Sequence, residues 1–419
     1  MLLPSPIKWS FRYTGVLRFS PIVGVLVVAL AVTQWLPAQN IPVTSPLFTL
    51  PSGIKPAARA ALVGDAVCSS CHQERAATYF RTAHARTSSL SSVETVHGKF
   101  NPGSNVFRTV KPDLFFRMEA DGENFFQTGV LLAAPDKEIT CRKRIDIIVG
   151  SGRKGQTFLY WNNDELYQLP ISYWAELGEW IYSPGYVNGT APFNRPILQR
   201  CLECHAGSFK ALTSSVNAYD RSSLVLGISC EKCHGPGGEH VDRYRAPKPP
   251  QSLADAAIIN PAKLSRERQI DVCSLCHSGP GESLTPPQSY TPGDVLANHL
   301  TFPPIAPGSH IDVHVSQVQM LARSRCFLSS PKMTCLTCHD VHKPERDLAV
   351  FASVCLTCHQ VKDCRIFPKQ GTQIATQCVA CHMPLEVTEQ IIISGDNGKK
   401  LQPKVRNHQI AIYPEVHLP

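Results

Sequence analysis

At 419 residues the chain is long enough for more than one core, and its formal charge of +8 would by itself point to a polyanionic partner. Seventeen cysteines beside sixteen histidines decide otherwise. Nothing in the sequence supports nucleic-acid binding, and the chemistry lies in how these two residue types are spaced.

The first elements concern export. Lys8, Arg12 and Arg18 precede an apolar run at 22–36, whose fifteen residues make about 22 Å of helix, short of the roughly 30 Å hydrocarbon core. A positive segment followed by such a run reads as an export signal over residues 1–43, with an uncleaved membrane tether as the alternative. Both imply a protein facing the periplasm. A Pro-rich linker opens the next segment, 44–97, which carries the first motif and a helix predicted from Gln73 through Tyr79 and Phe80 to about His84.

The stretch from Gln73 to Arg200, 128 residues, holds no such motif and reads as β. Aromatic runs flank Asp121-Gly122 and again Asn162-Asn163-Asp164, a hairpin pattern, and residues 145–150 form another short strand. We expect an inserted antiparallel domain over 98–185. The segment "GSGRKG" at 150–155 lacks the Lys-Ser/Thr ending of a phosphate loop and is better explained as a connection between strands. The aromatic-rich 169–186 fits core packing, or a wall against a cofactor, better than a substrate cage.

Seven Cys-X-X-Cys-His units account for fourteen of the cysteines: Cys68-Cys71-His72, Cys201-Cys204-His205, Cys230-Cys233-His234, Cys273-Cys276-His277, Cys335-Cys338-His339, Cys355-Cys358-His359 and Cys378-Cys381-His382, here motifs 1 to 7. Composition alone predicts about 0.03 such units. Two thiols three apart can form thioethers to one porphyrin, and the adjacent imidazole then reaches the iron as proximal ligand. Zinc would need two Cys pairs per site and no adjacent histidine. A thioredoxin-like motif occurs once, and disulfides need no histidine. The reading is seven covalently bound haem c groups. Their roughly fourteen propionates, set against seven ferric charges, bring the +8 chain near neutral when oxidised and to about −6 when reduced. Six motifs fill the 182 residues from Cys201 to His382, too little chain for an ordinary core around each. For this hexahaem region, 186–385, and the tail, 386–419, we expect short helices, loops and no long strands. The fold class expected is mostly α and irregular, organised by stacked haems, with the β-rich insert.

The segments "CEKCHGPGGEH", "CLTCHDVHK" and "CVACHMP" resemble the multihaem cytochromes c related to the tetrahaem electron carriers of ammonia oxidisers, a superfamily that includes hydroxylamine oxidoreductase. "LYQLPISYW", "SPGY", "FNRPI" and "CLECHAG" are similar to exported multihaem cytochromes of soil bacteria. The resemblance covers residues 68–84 and about 201–410, and implies haems stacked in close pairs that conduct electrons, with the seven motif histidines as proximal ligands. It makes His240 a distal ligand and His408 the final one, on a tail laid across the array.

Nine histidines lie outside the motifs: 84, 97, 240, 299, 310, 314, 342, 408 and 417. On one helical turn the His342 Cα would sit about 5 Å from that of His339. That spacing forbids trans ligation of one iron, so His342 is read as ligand to a different haem. His84, about 18 Å from His72 along a regular helix, is likewise assigned to another iron. One of His310 and His314 is expected to ligate. Of the three remaining cysteines, Cys326 and Cys364 are expected to pair and Cys141 to be free and buried. The function expected is electron transfer to redox partner proteins. The alternatives are a haem-dependent oxidoreductase acting on a small nitrogen or sulfur species at an iron with an open axial position, and a subunit of a larger outer-surface conduit. No motif replaces the proximal histidine with lysine, which favours the carrier.

Overall fold

In a computed structural model of the protein, residues 61–414 are described apart from 250, 253–256, 280 and 307. The export segment, most of the linker and His417 lie outside the described residues.

Alternation of apolar and polar side chains organises the first half into two antiparallel sheets. One, in the order β2-β3-β4-β5, comprises Val106–Arg108, Leu114–Asp121, Asn124–Ala134 and Lys137–Arg144. Its central hairpin turns at Gly122-Glu123, because Asp121 pairs with Asn124 and Gly122 takes φ +58°, a conformation that glycine adopts without strain. The other, in the order β1-β6-β7-β8-β11, comprises Ser88–Leu90, Ile147–Val149, Thr157–Asn162, Glu165–Gln168 and Arg195–Pro196. A separate hairpin joins β9 (Ile171–Trp174) to β10 (Glu179–Tyr182). Thirteen buried residues, among them Phe107, Phe116, Phe158, Trp180 and Tyr182, form one continuous core between these layers. The aromatic run at 169–186 therefore packs inward, and the glycine-rich 150–155 is the connection from β6 to β7.

The second half differs. Its helices are short: α3 (Gln199–His205), α4 (Cys230–His234), α5 (Gly238–Arg245), α6 (Arg266–His277), α7 (Gln317–Leu321), α8 (Arg325–Ser329), α9 (Leu348–Cys355), α10 (Phe367–Gln370) and α11 (Cys378–His382). Ahead of the sheets lie α1 (Asp65–Cys71) and α2 (Gln73–Tyr79), the latter shorter than the helix expected to reach His84. Two-stranded ladders intervene even among the motifs, for example Ala206–Ser208 with Val225–Leu226 and Leu385–Val387 with Lys404–Arg406. The expectation of a mostly α chain is corrected: helices and antiparallel sheets share the structure. The physical reason is that connections between motifs satisfy their backbone groups by pairing locally. The two apolar clusters lying wholly in this half contain three buried residues each, Leu275, Leu296 and Leu300 in one and Ile311, Val313 and Met320 in the other. No helix among the described residues is long and apolar enough to cross a membrane.

Candidate haem-binding sites

Each motif is wound into a helical turn, which brings its two thiols to one side and closes on the histidine. In motifs 1, 5 and 6 the histidine N–H donates to the carbonyl of the first cysteine, at 2.9 Å for His72 and 3.0 Å for His339 and His359. Motifs 1, 2, 3, 4 and 7 lie on α1, α3, α4, α6 and α11. Motif 5 forms a single tight turn, Cys335–Thr337, and motif 6 begins at the last residue of α9.

Four motif histidines face a histidine from elsewhere in the chain. The rings of His72 and His240 have centroids 6.2 Å apart with planes inclined by 19°. His234 and His342 stand at 6.1 Å and 32°, His339 and His408 at 6.4 Å and 29°, and His84 and His277 at 6.0 Å and 88°. Two imidazoles on opposite faces of one metal ion, with bonds of about 2.0–2.1 Å and about 1.15 Å from nitrogen to ring centre, have centroids about 6.3 Å apart. All four separations match that geometry. Each pair couples the histidine of a thiol-bearing turn to a histidine from a separate segment, so the donor set fits haem c.

Hydrogen bonds at the other ring nitrogen support this use. Nδ1 of His234 lies 2.8 Å from the Ile259 carbonyl, that of His382 2.8 Å from the Ala411 carbonyl, and that of His408 3.0 Å from the Arg406 carbonyl. Donation from Nδ1 fixes the tautomer and leaves Nε2 as a lone-pair donor. Burial, then repulsion from neighbouring cationic groups, holds His84 down to about 4. Burial is the main cause at His408 too, again to about 4. His205, His277, His339, His342 and His314 are lowered in the same direction, burial first. Neutral imidazole is the form that binds metal.

His84 is positioned by a loop. Its carbonyl accepts from Ile228 N at 3.0 Å, and Tyr79 Oη donates to the Ile228 carbonyl at 2.6 Å. Gly227 makes the close approach possible: at φ +73° a Cβ there would collide with the Ala85 carbonyl.

Among the described residues no second histidine ring stands in this relation to His205, His359 or His382. His205 Nδ1 lies 3.2 Å from Thr87 Oγ1. His314 is half-buried, its backbone N–H donating to Asp312 at 2.8 Å. His310 is exposed and lines a cavity of about 630 Å³ with Arg323, Glu386 and Tyr413. His97 is exposed, and His299 bonds Thr285 Oγ1 at 3.1 Å.

The expected Cys326–Cys364 disulfide is not formed: both thiols are free. The chain carries them to different motifs, Cys326 beside Cys338 and Cys364 beside Cys378 and Cys381. Cys141 is free and half-buried on β5. Motif thiols meet one another across motifs. A hydrogen bond from Cys276 holds Cys204 down to about 7, Cys335 similarly bonds Cys273, and Cys68 bonds Cys230. No group of three or more His, Cys, Asp or Glu gathers as a bare metal site among the described residues.

Sequence reasoning missed the polar groups that lock motifs together. Glu231, inside motif 3, is 7% exposed, yet it accepts from Val63 N and Gly64 N at 2.9 Å each and from Gly237 N at 2.8 Å. Asp65 Oδ1 accepts from Cys230 N at 2.9 Å. Arg200 donates to the Leu275 carbonyl at 2.8 Å and to Glu203 at 2.8 Å. A charged residue between or beside the motif cysteines was their only mark in the sequence.

Comparison with known proteins agrees at a coarse level. A family profile described as "Cytochrome c554 and c-prime" matches residues 189–235, which contain motifs 2 and 3. The C-type polyheme cytochrome OmcC of Geobacter sulfurreducens is 24% identical over 47% of this chain and 27% of its own length. The multiheme cytochrome MtrA of Shewanella baltica is 27% identical over 34% of this chain and 45% of its own. The matched regions thus span less than half of either relative. An undecaheme cytochrome from the S-layer of Carboxydothermus ferrireducens aligns with 82% of this chain and 55% of its own, at 15% identity and a TM-score of 0.38, too low to carry a structural argument. With the motifs, the sequence matches support a multihaem c-type cytochrome.

Proposed function

We propose that this multihaem c-type cytochrome carries seven haem c groups and works as an exported electron carrier between redox partner proteins. The observation that carries the reading is the set of four histidine pairs at the separation of trans axial ligands. Each haem would supply a one-electron ferric/ferrous couple. The chain supplies the rest: paired thiols would anchor the porphyrins, and His72, His234, His277 and His339 would ligate from the motif side. His240, His342, His84 and His408 would ligate from the other side, and burial disfavours the protonated form of His84, His277, His339, His342 and His408. Six-coordinate irons of this kind exchange electrons without binding substrate. Kinship with the tetrahaem carriers and hydroxylamine oxidoreductase belongs to this reading, as does the division into an N-terminal export segment or tether, a β-rich insert and a motif-bearing region. The β-rich insert serves in it as a scaffold at the edge of the array.

A second reading has one specific observation in its favour. His205, His359 and His382 have no histidine opposite them among the described residues, so one of their irons is where a small nitrogen or sulfur species would bind if the protein were an oxidoreductase. Mass spectrometry of the acid-denatured protein and the spin state of the oxidised holoprotein test both readings. Seven covalent haems, at least four of them low-spin, with no turnover of nitrite or hydroxylamine, are expected for the carrier. Fewer than four low-spin haems would overturn the ligand assignment. Stoichiometric carbon monoxide binding together with turnover of nitrite or hydroxylamine would replace the carrier by the enzyme.

A further inference from the structure

The seven motifs are not arranged in chain order. Motifs 1 and 3 interlock through Asp65 and Cys230 N, through Glu231 and the backbone at 63–64, and through the Cys68–Cys230 contact. Motifs 2 and 4 interlock through α3 and α6: Arg200 donates to the Leu275 carbonyl, and Cys204 Sγ lies 3.8 Å from the same oxygen. Motifs 6 and 7 are joined by the packing of α9 against α11. These are three pairs, and motif 5 touches all of them. Its turn packs on α6 of motif 4, where Arg266 also reaches the Met333 carbonyl at 3.0 Å. Its His339 ring lies 5.3 Å from Phe351 on α9. Finally, His342, which faces His234 of motif 3, is three residues from His339, a tether of at most about 11 Å.

Resting on the haem attachment proposed above, we infer that the array is a three-ended junction with motif 5 at its centre and arms 4–2, 3–1 and 6–7, so that one end, motif 2, belongs to the β-rich region. Two further observations agree. The exposed motif cysteines are Cys71, Cys201 and Cys358, one on each arm in motifs 1, 2 and 6, and motifs 3, 4, 5 and 7 have none. The motif 2 helix is built into the insert's second core, where Leu202 and Ala206 pack with Ile147, Leu159, Leu166 and Tyr219. A chain-order wire would have two ends and would route every electron from motif 2 to motif 4 through motif 3, whereas motifs 2 and 4 touch directly even though motif 3 lies close to both. The junction instead lets electrons received at the β-rich region reach motif 5 without passing motifs 1 or 3, so three partners can share one pool.

The test injects electrons beside motif 2 and times their arrival at motif 5. A ruthenium polypyridyl photosensitiser is coupled to Val216→Cys, a position 66% exposed, in a Cys141→Ser/Cys326→Ser/Cys364→Ser background. His408→Met gives the haem of motif 5 a higher potential and a distinct spectrum. The excited sensitiser loses one electron, the ferric haems gain it, and no proton moves. Removing motif 3 attachment (Cys230→Ala/Cys233→Ala) is expected to leave the arrival rate within two-fold, and removing motif 4 attachment (Cys273→Ala/Cys276→Ala) to slow it at least ten-fold. Ten-fold slowing by the motif 3 change, or none by the motif 4 change, in protein retaining the other six haems by mass, would overturn the junction while leaving the haem reading intact. A deficit of haem mass in the unaltered protein would overturn the haem reading itself. If the motif 3 variant does not mature, the mirror experiment decides. With the sensitiser on Glu74→Cys beside motif 1, loss of motif 2 attachment (Cys201→Ala/Cys204→Ala) should leave arrival at motif 5 unchanged, and ten-fold slowing would overturn the junction.

Discussion

The two halves of the molecule are held together by different physics. The β-rich region closes around thirteen buried residues in one cluster and satisfies its backbone in two sheets. Beyond motif 2, which packs into a core shared with the β-rich strands, the motif-rich region has clusters of only three buried residues and relies on short polar clamps between motifs. A chain segment that buries so little apolar surface of its own cannot offset the conformational entropy of ordering it, of the order of 1–2 kcal/mol per residue. Its stability must come from what its thiols and imidazoles bind, much as small metal domains fold only when loaded.

The largest expected effect follows from that contrast. Protein produced without haem attachment should lose hydrogen-exchange protection across residues 230–414 while the β-rich strands between 106 and 182 stay protected. Equal loss in both halves would show that the insert has no independent core. A core truncation probes the other side. Phe116→Ala, at a position 0% exposed, should cost about 3–5 kcal/mol in the unfolding of the insert, with haem mass unchanged.

This contrast also explains what the sequence could reveal. The hairpins were legible because Asp121-Gly122 and the flanking aromatic alternation are local signals, and the motif residues because thioether attachment demands fixed spacing. The partners of the motif histidines were legible only in part. Because His342 lies only three positions after His339, it cannot share that iron, but nothing local says that it faces His234. Likewise His84 meets His277 across nearly two hundred positions, through a turn that ends α2 early. The disulfide expectation failed for the same reason: two cysteines near motifs in the sequence are near different motifs in space. The mostly α expectation failed because two- and three-residue ladders are too short to leave a periodic pattern.

Smaller effects sharpen the view that clamps, not a core, hold the motif half. Glu231→Gln removes charge from a carboxylate that accepts three backbone N–H groups. Hydrogen bonds to charged groups contribute about 1.5–3 kcal/mol, so a loss of that order is expected in thermal or denaturant unfolding of the motif half, with the haem count unchanged. Asp312 is a second clamp. Burial alone would raise its carboxyl, but donation from Thr388 Oγ1 and from the backbone of His314, Glu389 and Gln390 outweighs it and lowers it below the ordinary 3.8. A depressed carboxylate stabilises the fold above its unfolded value, and that contribution fades as pH falls through the folded value. The stability difference between the parent and Asp312→Asn should therefore be full at neutral pH and shrink below pH 3.8. A gap independent of pH would mean the side chain acts through shape alone.

The histidine pairs themselves are tested most directly by electron paramagnetic resonance of the oxidised holoprotein. Three pairs have planes inclined by 19°, 29° and 32°, whereas His84 and His277 are nearly perpendicular at 88°. Perpendicular axial imidazoles leave the iron's frontier orbitals nearly degenerate and give a strongly anisotropic low-spin signal, distinct from the rhombic signals of near-parallel pairs. The expected result is one such anisotropic component, lost in His84→Ala with the appearance of one high-spin haem while all seven haems remain by mass. An unchanged spectrum in His84→Ala, with every haem in place, would contradict the assignment of these pairs as axial ligands.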